Sequence, residues 1–435
     1  MTTLSPDALA QRIGALAREA DQATASGNPA HAARCWQRLL ALSPGQPQAM
    51  ARLAQCHLAL GDIGSARGVL EEVVALKPDL AMAHALMARV HVADGQPDRA
   101  IEALDRAIRH DAFAWGALFE KARLLEAAGR KREAALCWST GLQLLPADAA
   151  RAPQLQDTIA SARAASTANQ RELRDFLEAR TSGLRQQENR RDLERFEHCL
   201  DIVTGKRRFV TANPINLPMP QLPAIQFFHR EDFDWAPAVE AATPRILAEL
   251  EAVSGGDRAG FEPYVQTRPG DPAGQFSELD RNLSWGAYFL WKHGRRIDAH
   301  CAACPATVAA VEQAPMVHVR ARAPAVFFSE LQPHTHIPPH NGATNTRLTV
   351  HLPLIVPDGC AFRVGDDTRP WIPGELFIFD DTILHEAWNR SDSRRVVLIF
   401  DIWHPMLTAL ERELVTQTVE GLAEFYDDAA ELGEL

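Results

Sequence analysis

The chain has 435 residues, 46% of them hydrophobic, with 45 Lys plus Arg against 56 Asp plus Glu and a formal net charge of −11. Length and composition predict a globular protein of two or three domains, and the acidic balance speaks against nucleic acid as a partner. Residues 1–20 lack the basic start and apolar run of a secretory leader, no stretch of ~18 apolar residues is present, and seven scattered cysteines fit reduced thiols, so a cytoplasmic protein without a membrane span is expected.

The first third repeats itself. Gly27, Gly61, Gly95 and Gly129 recur every 34 residues. Five positions after each stands Ala32, Ala66, Ala100 or Ala134, and nine positions after stands Trp36, Leu70, Leu104 or Trp138. Thirteen after come Leu40, Val74, Ile108 and Leu142; seventeen after come Pro44, Pro78 and Pro146, with Ala112 as the exception. A period of 34 implies one helix–turn–helix unit per repeat. The glycine is expected to relieve crowding near the end of the first helix, the alanine to let the paired helices approach, and the proline to stop the second helix. This register resembles the tetratricopeptide repeat, with four units over residues 1–150. Such solenoids present a concave surface suited to a peptide or protein segment; the opposing reading is a packed extension that stabilises the downstream domain. His31, His57, His84, His91 and His110 show no shared ligand spacing and read as ordinary helix residues.

Residues 151–212 read as a helical linker. Leu173, Phe176, Leu177, Leu184, Leu193, Phe196 and Leu200 give a broken three-to-four spacing among alternating Arg and Glu. The prolines of PINLPMPQLP (residues 214–223) then mark an extended connector. A helix is expected over Ala241–Val253. From Val317 the pattern turns to short β-rich runs, VHVRA, AVFFSEL, RLTVHLPLIV, CAFRV, ELFIFDD and RRVVLIFDIW, separated by turns, which points to a sandwich or barrel. Residues 409–435 read as a helix with an acidic tail, carrying Asp427, Asp428, Glu431 and Glu434.

The stretch from Ser329 to Pro405 holds the chemistry. It contains His334, His336, His340, His351, His385 and His404. Metal sites favour histidines presented by strands of a rigid barrel with positions left open for substrate. His340 opens the turn His340-Asn341-Gly342, and His385 follows an apolar run and the pair Asp380-Asp381. Spacing alone does not show which imidazoles converge. Cys301-x-x-Cys304 has no second cysteine pair and reads as free thiols rather than a zinc set.

Three long runs carry a resemblance: HTHIPPHNGATNTRLTVHLPLIVP (residues 334–357), WIPGELFIFDDTILHEAWN (371–389) and RRVVLIFDIWHP (394–405). Upstream, LPAIQFFHREDFDW, ATPRILAEL and CPATVAAVEQAP fit the same pattern. Together they resemble the aspartyl/asparaginyl β-hydroxylase family over roughly residues 220–408. The resemblance implies an Fe(II)- and 2-oxoglutarate-dependent oxygenase on a double-stranded β-helix, a jelly-roll or cupin-like fold, assigned to residues 213–408. The whole chain is then a multidomain α and β protein, a helical tetratricopeptide-like solenoid followed by that catalytic domain.

By the same resemblance, His340 and His385 bind the iron, and Arg395 with Ser329 holds the distal carboxylate of 2-oxoglutarate, near which His351 lies. Position 342, where many related oxygenases carry a carboxylate ligand, is Gly342 and leaves the iron an open position. Arg347 belongs to the family's T-N-x-R-L element. Thr349 stands where some members carry a second arginine for an acidic substrate, which puts a strictly aspartyl substrate in doubt. His334, His336 and His404 are read as loop or supporting residues, Asp380 and Asp381 as braces of the turn before His385, and Trp371, Trp388 and Trp403 as packing. The implied reaction consumes O2 and 2-oxoglutarate, releases succinate and CO2, and hydroxylates a C–H bond. The expected substrate is an aspartyl or asparaginyl residue in a peptide, a protein or a carrier-bound amino acid, gripped with help from the repeats. The rival readings are a non-catalytic repeat scaffold and a halogenase that uses the open His-x-Gly site for chloride.

Overall fold

The structure is a computed structural model. It describes residues 5–426 except Gln187, 256–259, 268–273, 275 and 321. The acidic positions Asp427, Asp428, Glu431 and Glu434 lie outside the described residues. The chain divides into two compact units, Met1–Lys206 and Arg207–Leu435. No described helix is long and apolar enough to cross a membrane.

The first unit is helical. Helices α1 (Pro6–Ala25) and α2 (Pro29–Leu42), α3 (Pro47–Ala59) and α4 (Ile63–Leu76), α5 (Ala81–Ala93) and α6 (Pro97–His110), and α7 (Trp115–Ala127) and α8 (Lys131–Leu144) form four antiparallel pairs. The sequence ladder has a physical meaning at each rung. Ala32, Ala66, Ala100 and Ala134 are wholly buried, so the paired helices approach at their methyl groups, and Trp36, Leu70, Leu104 and Trp138 fill the space one turn on. Pro44 and Pro78 each follow the residue that caps a second helix.

The glycines act differently from the expectation. A Cβ built on Gly27, Gly61, Gly95 or Gly129 meets nothing within 4 Å, so crowding is not the reason for glycine. Each has φ between 71° and 77°, the left-handed conformation that closes a Schellman cap. The paired bonds are present at every turn, for example Asp62 N–H to His57 O at 2.9 Å and Gly61 N–H to Leu58 O at 3.1 Å. Two further helices, α9 (Gln156–Arg185) and α10 (Arg190–Val203), belong to this unit. Ile159 and Ala162 of α9 are buried, and α9 packs on α8. Arg174 of α9 binds Glu178 at 2.7 Å and reaches Asp201 of α10.

The second unit is built on two antiparallel sheets. Its strands are β1 (Phe227–Phe228), β2 (Glu262–Pro263), β3 (Trp285–Lys292), β4 (Arg295–Arg296), β5 (Val326–Leu331), β6 (Thr335–His340), β7 (Arg347–Ile355), β8 (Cys360–Val364), β9 (Asp367–Arg369), β10 (Phe377–Phe379), β11 (His385–Asn389) and β12 (Arg395–Trp403). The large sheet runs β1-β10-β7-β12-β5-β3-β2, with β4 paired to β3; the small sheet runs β6-β11-β8-β9. From β5 to β12 the chain passes back and forth between the sheets, with β5, β7, β10 and β12 in the large one and β6, β8, β9 and β11 in the small one. This two-sheet winding is the layout expected of a double-stranded β-helix.

Strand alternation divides the residues of the large sheet. Leu348, Val350, Leu352, Phe328, Leu398 and Phe400 face one core shared with α11 (Ala236–Ala241), α12 (Thr243–Ser254) and α14 (Pro305–Val311), which follows the short α13 (Asp298–Ala303). Their neighbours Ser329, Thr349, His351, Arg395 and Ile399 face a cavity between the sheets instead. A last helix, α15 (Ala409–Phe425), starts with a capping box at Thr408 and Glu411 and buries Val419 beside Trp403.

Two strand expectations differ. The described residues of VHVRA (317–320) form no strand; Val319 makes an isolated bridge with Ala323, and Met316, just before the run, makes one with Ile402. The strand WGAYFLWK (β3) gives no signal in the sequence because it is buried on both faces and shows no alternation. The proline-rich connector is pinned rather than loose: Ile215 N–H donates to Gly342 O at 3.1 Å and Asn216 N–H to Ala343 O at 2.9 Å.

Candidate active site

His340 ends β6 and His385 begins β11, and the register of the two strands sets them directly opposite each other. Their ring centroids are 3.9 Å apart. Each ring is oriented by the same local device. His340 Nδ1 lies 2.8 Å from Pro338 O, and His385 Nδ1 lies 2.9 Å from Ile383 O. A carbonyl only accepts, so the proton sits on Nδ1 and each Nε2 keeps a bare lone pair. Burial, reinforced by the charge of its neighbour, pushes His340 down to about 3, and burial pushes His385 down to about 4. Both imidazoles are therefore neutral at pH 7, the form that binds metal. The edge of the Phe276 ring closes over His340 at 4.7 Å.

No third side chain completes the set. Among the described residues, no His, Cys, Asp or Glu donor joins these two within a common metal-sized cluster. Position 342 is closed to one by packing: a Cβ there would lie 2.2 Å from Asp381 Cγ. Gly342 N–H instead donates to Asp381 O at 2.7 Å. The two acids before His385 divide the roles expected of them jointly. Asp380 braces the turn, accepting from Thr382 N–H at 3.0 Å and from Thr382 Oγ1 at 2.5 Å. Asp381 turns its carboxylate into the cavity beside Gly342, with Arg347 at 3.9 Å and Oδ1 unpartnered. Burial raises its carboxyl, against the Arg347 charge. The sequence signal was available: a glycine at the usual ligand position leaves room for a carboxylate from elsewhere in the chain.

The other end of the cavity lies on the large sheet. Arg395 is 1% exposed, its Nε has no hydrogen-bond partner, and no carboxylate among the described residues figures in the charges that act on it. Its guanidinium lies 4.6 Å over Trp371, which gives that tryptophan a part beyond packing. Burial pushes the guanidinium down to about 10. Across the strand pair, Ser329 Oγ accepts from Trp285 Nε1 at 3.1 Å, which leaves its own O–H to donate. His351 is buried and held neutral by burial and the Arg395 charge, with Nδ1 unpartnered. Ser329, His340, His351, His385 and Arg395 all line one cavity of about 680 Å³.

Of the remaining candidates, the three other histidines and the two cysteines do not line it. His334 binds Asp392 at 2.9 Å and His336 binds Glu386 at 2.7 Å, both at the surface. His404 is buried below β12 and accepts from Met406 N–H at 3.2 Å. Cys301 and Cys304 are buried free thiols, the second pushed up to about 12 by burial. Arg347 lines the cavity and is tied to Asp401 at 2.7 Å.

This geometry fits an iron and a 2-oxo diacid. Two neutral imidazoles offer lone pairs, and a buried cation without a carboxylate partner, beside a hydroxyl donor, suits a carboxylate. Residues 240–405 match the family model described as aspartyl/asparaginyl beta-hydroxylase, and residues 23–90 and 86–138 match tetratricopeptide repeat models. The human protein named aspartyl/asparaginyl beta-hydroxylase is 38% identical over 144 residues, 32% of this chain and 19% of its own length. The ornithine lipid ester-linked acyl 2-hydroxylase of Rhizobium tropici is 34% identical over 198 residues, 45% of this chain and 66% of its own length. The matched part thus spans about a fifth of the human relative. Among solved structures, a thermophilic tetratricopeptide-repeat protein of Thermus thermophilus is 18% identical with a TM-score of 0.32, covering 45% of this chain and 97% of its own. The chain therefore joins tetratricopeptide repeats to a domain of the aspartyl/asparaginyl β-hydroxylase family, a family of hydroxylases.

Proposed function

We propose that the protein is an Fe(II)- and 2-oxoglutarate-dependent dioxygenase that hydroxylates a C–H bond. The observation that carries this reading is the pairing, in one cavity, of two neutral metal-ready imidazoles with a buried guanidinium that has no counter-ion. His340 and His385 would hold the iron through Nε2. Arg395 and Ser329 would take the distal carboxylate of 2-oxoglutarate, with His351 beside it. When bound, iron and cosubstrate supply the O2 activation, and the residues of the chain orient the diacid and keep water out. Phe276, Phe362 and Phe379 wall the imidazoles with apolar surface. The Asp381 carboxylate occupies the room beside Gly342, which weighs against a halide there.

The substrate reading retained from the family is an aspartyl or asparaginyl residue in a peptide, a protein or a carrier-bound amino acid. One observation favours a second reading, a substrate with an apolar chain. Arg347 is tied to Asp401, and Thr349 replaces a cation. The cavity floor beyond the imidazoles is Phe289, Phe327 and Ile399, with Tyr264 stacked on Trp285 at 4.1 Å. The Rhizobium relative is named for an acyl hydroxylation. The repeats are the surface proposed to recruit a larger partner, since such repeats generally bind peptides and proteins.

The test is an anaerobic Fe(II) titration with and without 2-oxoglutarate, followed by visible absorption. The expected result is a metal-to-ligand charge-transfer band that His340→Ala or His385→Ala abolishes and Arg395→Ala weakens. A folded, metal-accessible protein with no band overturns the reading in favour of a scaffold. Product mass with aspartyl peptides and with acyl amides then separates the two substrate readings.

A further inference from the structure

Away from this cavity, the first repeat unit gathers three different donors. Glu19 projects from α1, and His31 and Cys35 from α2, one helical turn apart on the same face. His31 Nε2 lies 3.0 Å from Glu19 Oε1 and 3.8 Å from Cys35 Sγ, and all three ligand atoms fall within 4.8 Å of one another. It is the one such cluster of His, Cys, Asp and Glu among the described residues. Reading the repeat histidines one at a time misses it, because the third donor comes from the neighbouring helix.

We propose that Glu19, His31 and Cys35 form a divalent transition-metal site, best suited to Zn(II), that clamps α1 to α2. The distances support this. Zinc bonds of about 2.0–2.3 Å to N, O and S at tetrahedral angles place the ligand atoms about 3.3–3.5 Å apart. The observed 3.0 and 3.8 Å bracket that edge, and the Glu19–Cys35 edge, within 4.8 Å, needs a shift of at most about 1.5 Å that the half-exposed Glu19 side chain can supply. The donor set is mixed and borderline-soft, which excludes Mg(II) and Ca(II). Cys35 is anchored in the apolar core of the first two helices at 1% exposure, while Glu19 and His31 stand at the rim, so the open fourth position faces solvent. Arg34, which reaches His31 Nδ1 at 3.5 Å, is exposed and has room to swing aside.

The test uses the full chain carrying His340→Ala and His385→Ala, so that the cavity histidines take no metal, with a phosphine as reductant. Co(II) is titrated in and followed by absorption. One equivalent is expected to give d–d bands and a thiolate-to-Co(II) charge-transfer band in the near ultraviolet. Cys35→Ser is expected to remove that band. Glu19→Gln and His31→Gln, both at the rim and compatible with folding, are expected to weaken binding at least about tenfold. Zn(II) is expected to displace Co(II) and to raise the melting temperature only where all three ligands are present. Absence of a thiolate band at one equivalent overturns the site. So does a band that survives unchanged in Glu19→Gln and His31→Gln, which would leave a rim ion pair beside an unrelated thiol.

Discussion

Replacing Arg395 by methionine separates two effects of opposite sign. The guanidinium is buried without an anion, and its fall from 12.5 to about 10 is due first to desolvation. At 1.36 kcal/mol for each tenfold change in acidity, that fall corresponds to about 3 kcal/mol of cost to the charged form in the folded protein. The folded value lies below the unfolded one, so the cost is fully present at neutral pH and is relieved only as pH rises past about 10. Methionine has similar volume, keeps the contact over Trp371 and needs no counter-ion. Arg395→Met is therefore expected to stabilise the ligand-free protein by about 1–3 kcal/mol, or roughly 3–9 °C for a domain of this size. With 2-oxoglutarate the sign reverses. The distal carboxylate would be buried without its cation, a loss of about 3–5 kcal/mol, or two to four orders of magnitude in affinity. The assay is thermal unfolding with Mn(II) in place of Fe(II), with and without 2-oxoglutarate. Wild type should gain about 2.7 kcal/mol at a hundredfold excess over its dissociation constant, and the variant at most about 0.4 kcal/mol at the same concentration. A variant that is less stable alone, yet gains as much from 2-oxoglutarate as wild type, refutes the argument.

Local geometry sets three further outcomes. Gly342→Ala drives a methyl group into the Asp381 carboxylate, so it should cost about 1–3 kcal/mol, and Asp381→Gly in the same chain should restore part of that, as read by denaturant unfolding. Gly61→Ala meets no steric neighbour and loses only through its positive φ, about 1 kcal/mol, while Gly61→Asn should lose less; equal losses would show that the turn is set by something other than backbone conformation. His404 is held down to about 4 by burial, so the folded state resists its protonation as pH falls below 6.5. Wild type should lose about 2 kcal/mol more than His404→Gln between pH 8 and pH 5, and parallel stability curves would place the imidazole in water.

The repeats were legible because one requirement recurs. A helical hairpin needs a left-handed residue at its turn and a small residue at its crossing, and both needs leave a column in the sequence. The strands of the second unit were legible where alternation holds: RLTVHLPLI sends Leu348, Val350 and Leu352 to the helices and Thr349 and His351 to the cavity. β3 hid because both of its faces are covered, and VHVRA misled because a short alternating run need not find a partner strand. Within the candidate site, the residue types and their order were readable, but the register that sets His340 opposite His385 was not. Nor was the position of Asp381, which depends on the backbone bond from Gly342 and on the absence of a Cβ there.

The distribution of charge in the cavity argues for a ligand made of a cation and a dicarboxylate together. Asp381 and Arg395 are a buried acid and a buried base that line the same space. Left to pair, they would offset much of each other's desolvation. They do not: Asp381 responds to Arg347 and His340, Arg395 responds to Cys360, and neither figures in the charges that act on the other. A fold that keeps both apart forgoes stability in exchange for two complementary poles, an acid beside the imidazoles and a cation beside Ser329. Asp381 already faces Arg347 at 3.9 Å, so the pole left unanswered is Arg395, which a carboxylate would satisfy. The keto acid end of 2-oxoglutarate would meet the metal while its far carboxylate meets Arg395, so metal and 2-oxoglutarate should bind cooperatively, and Arg395→Met should lower the affinity for 2-oxoglutarate with little change in the metal's affinity alone.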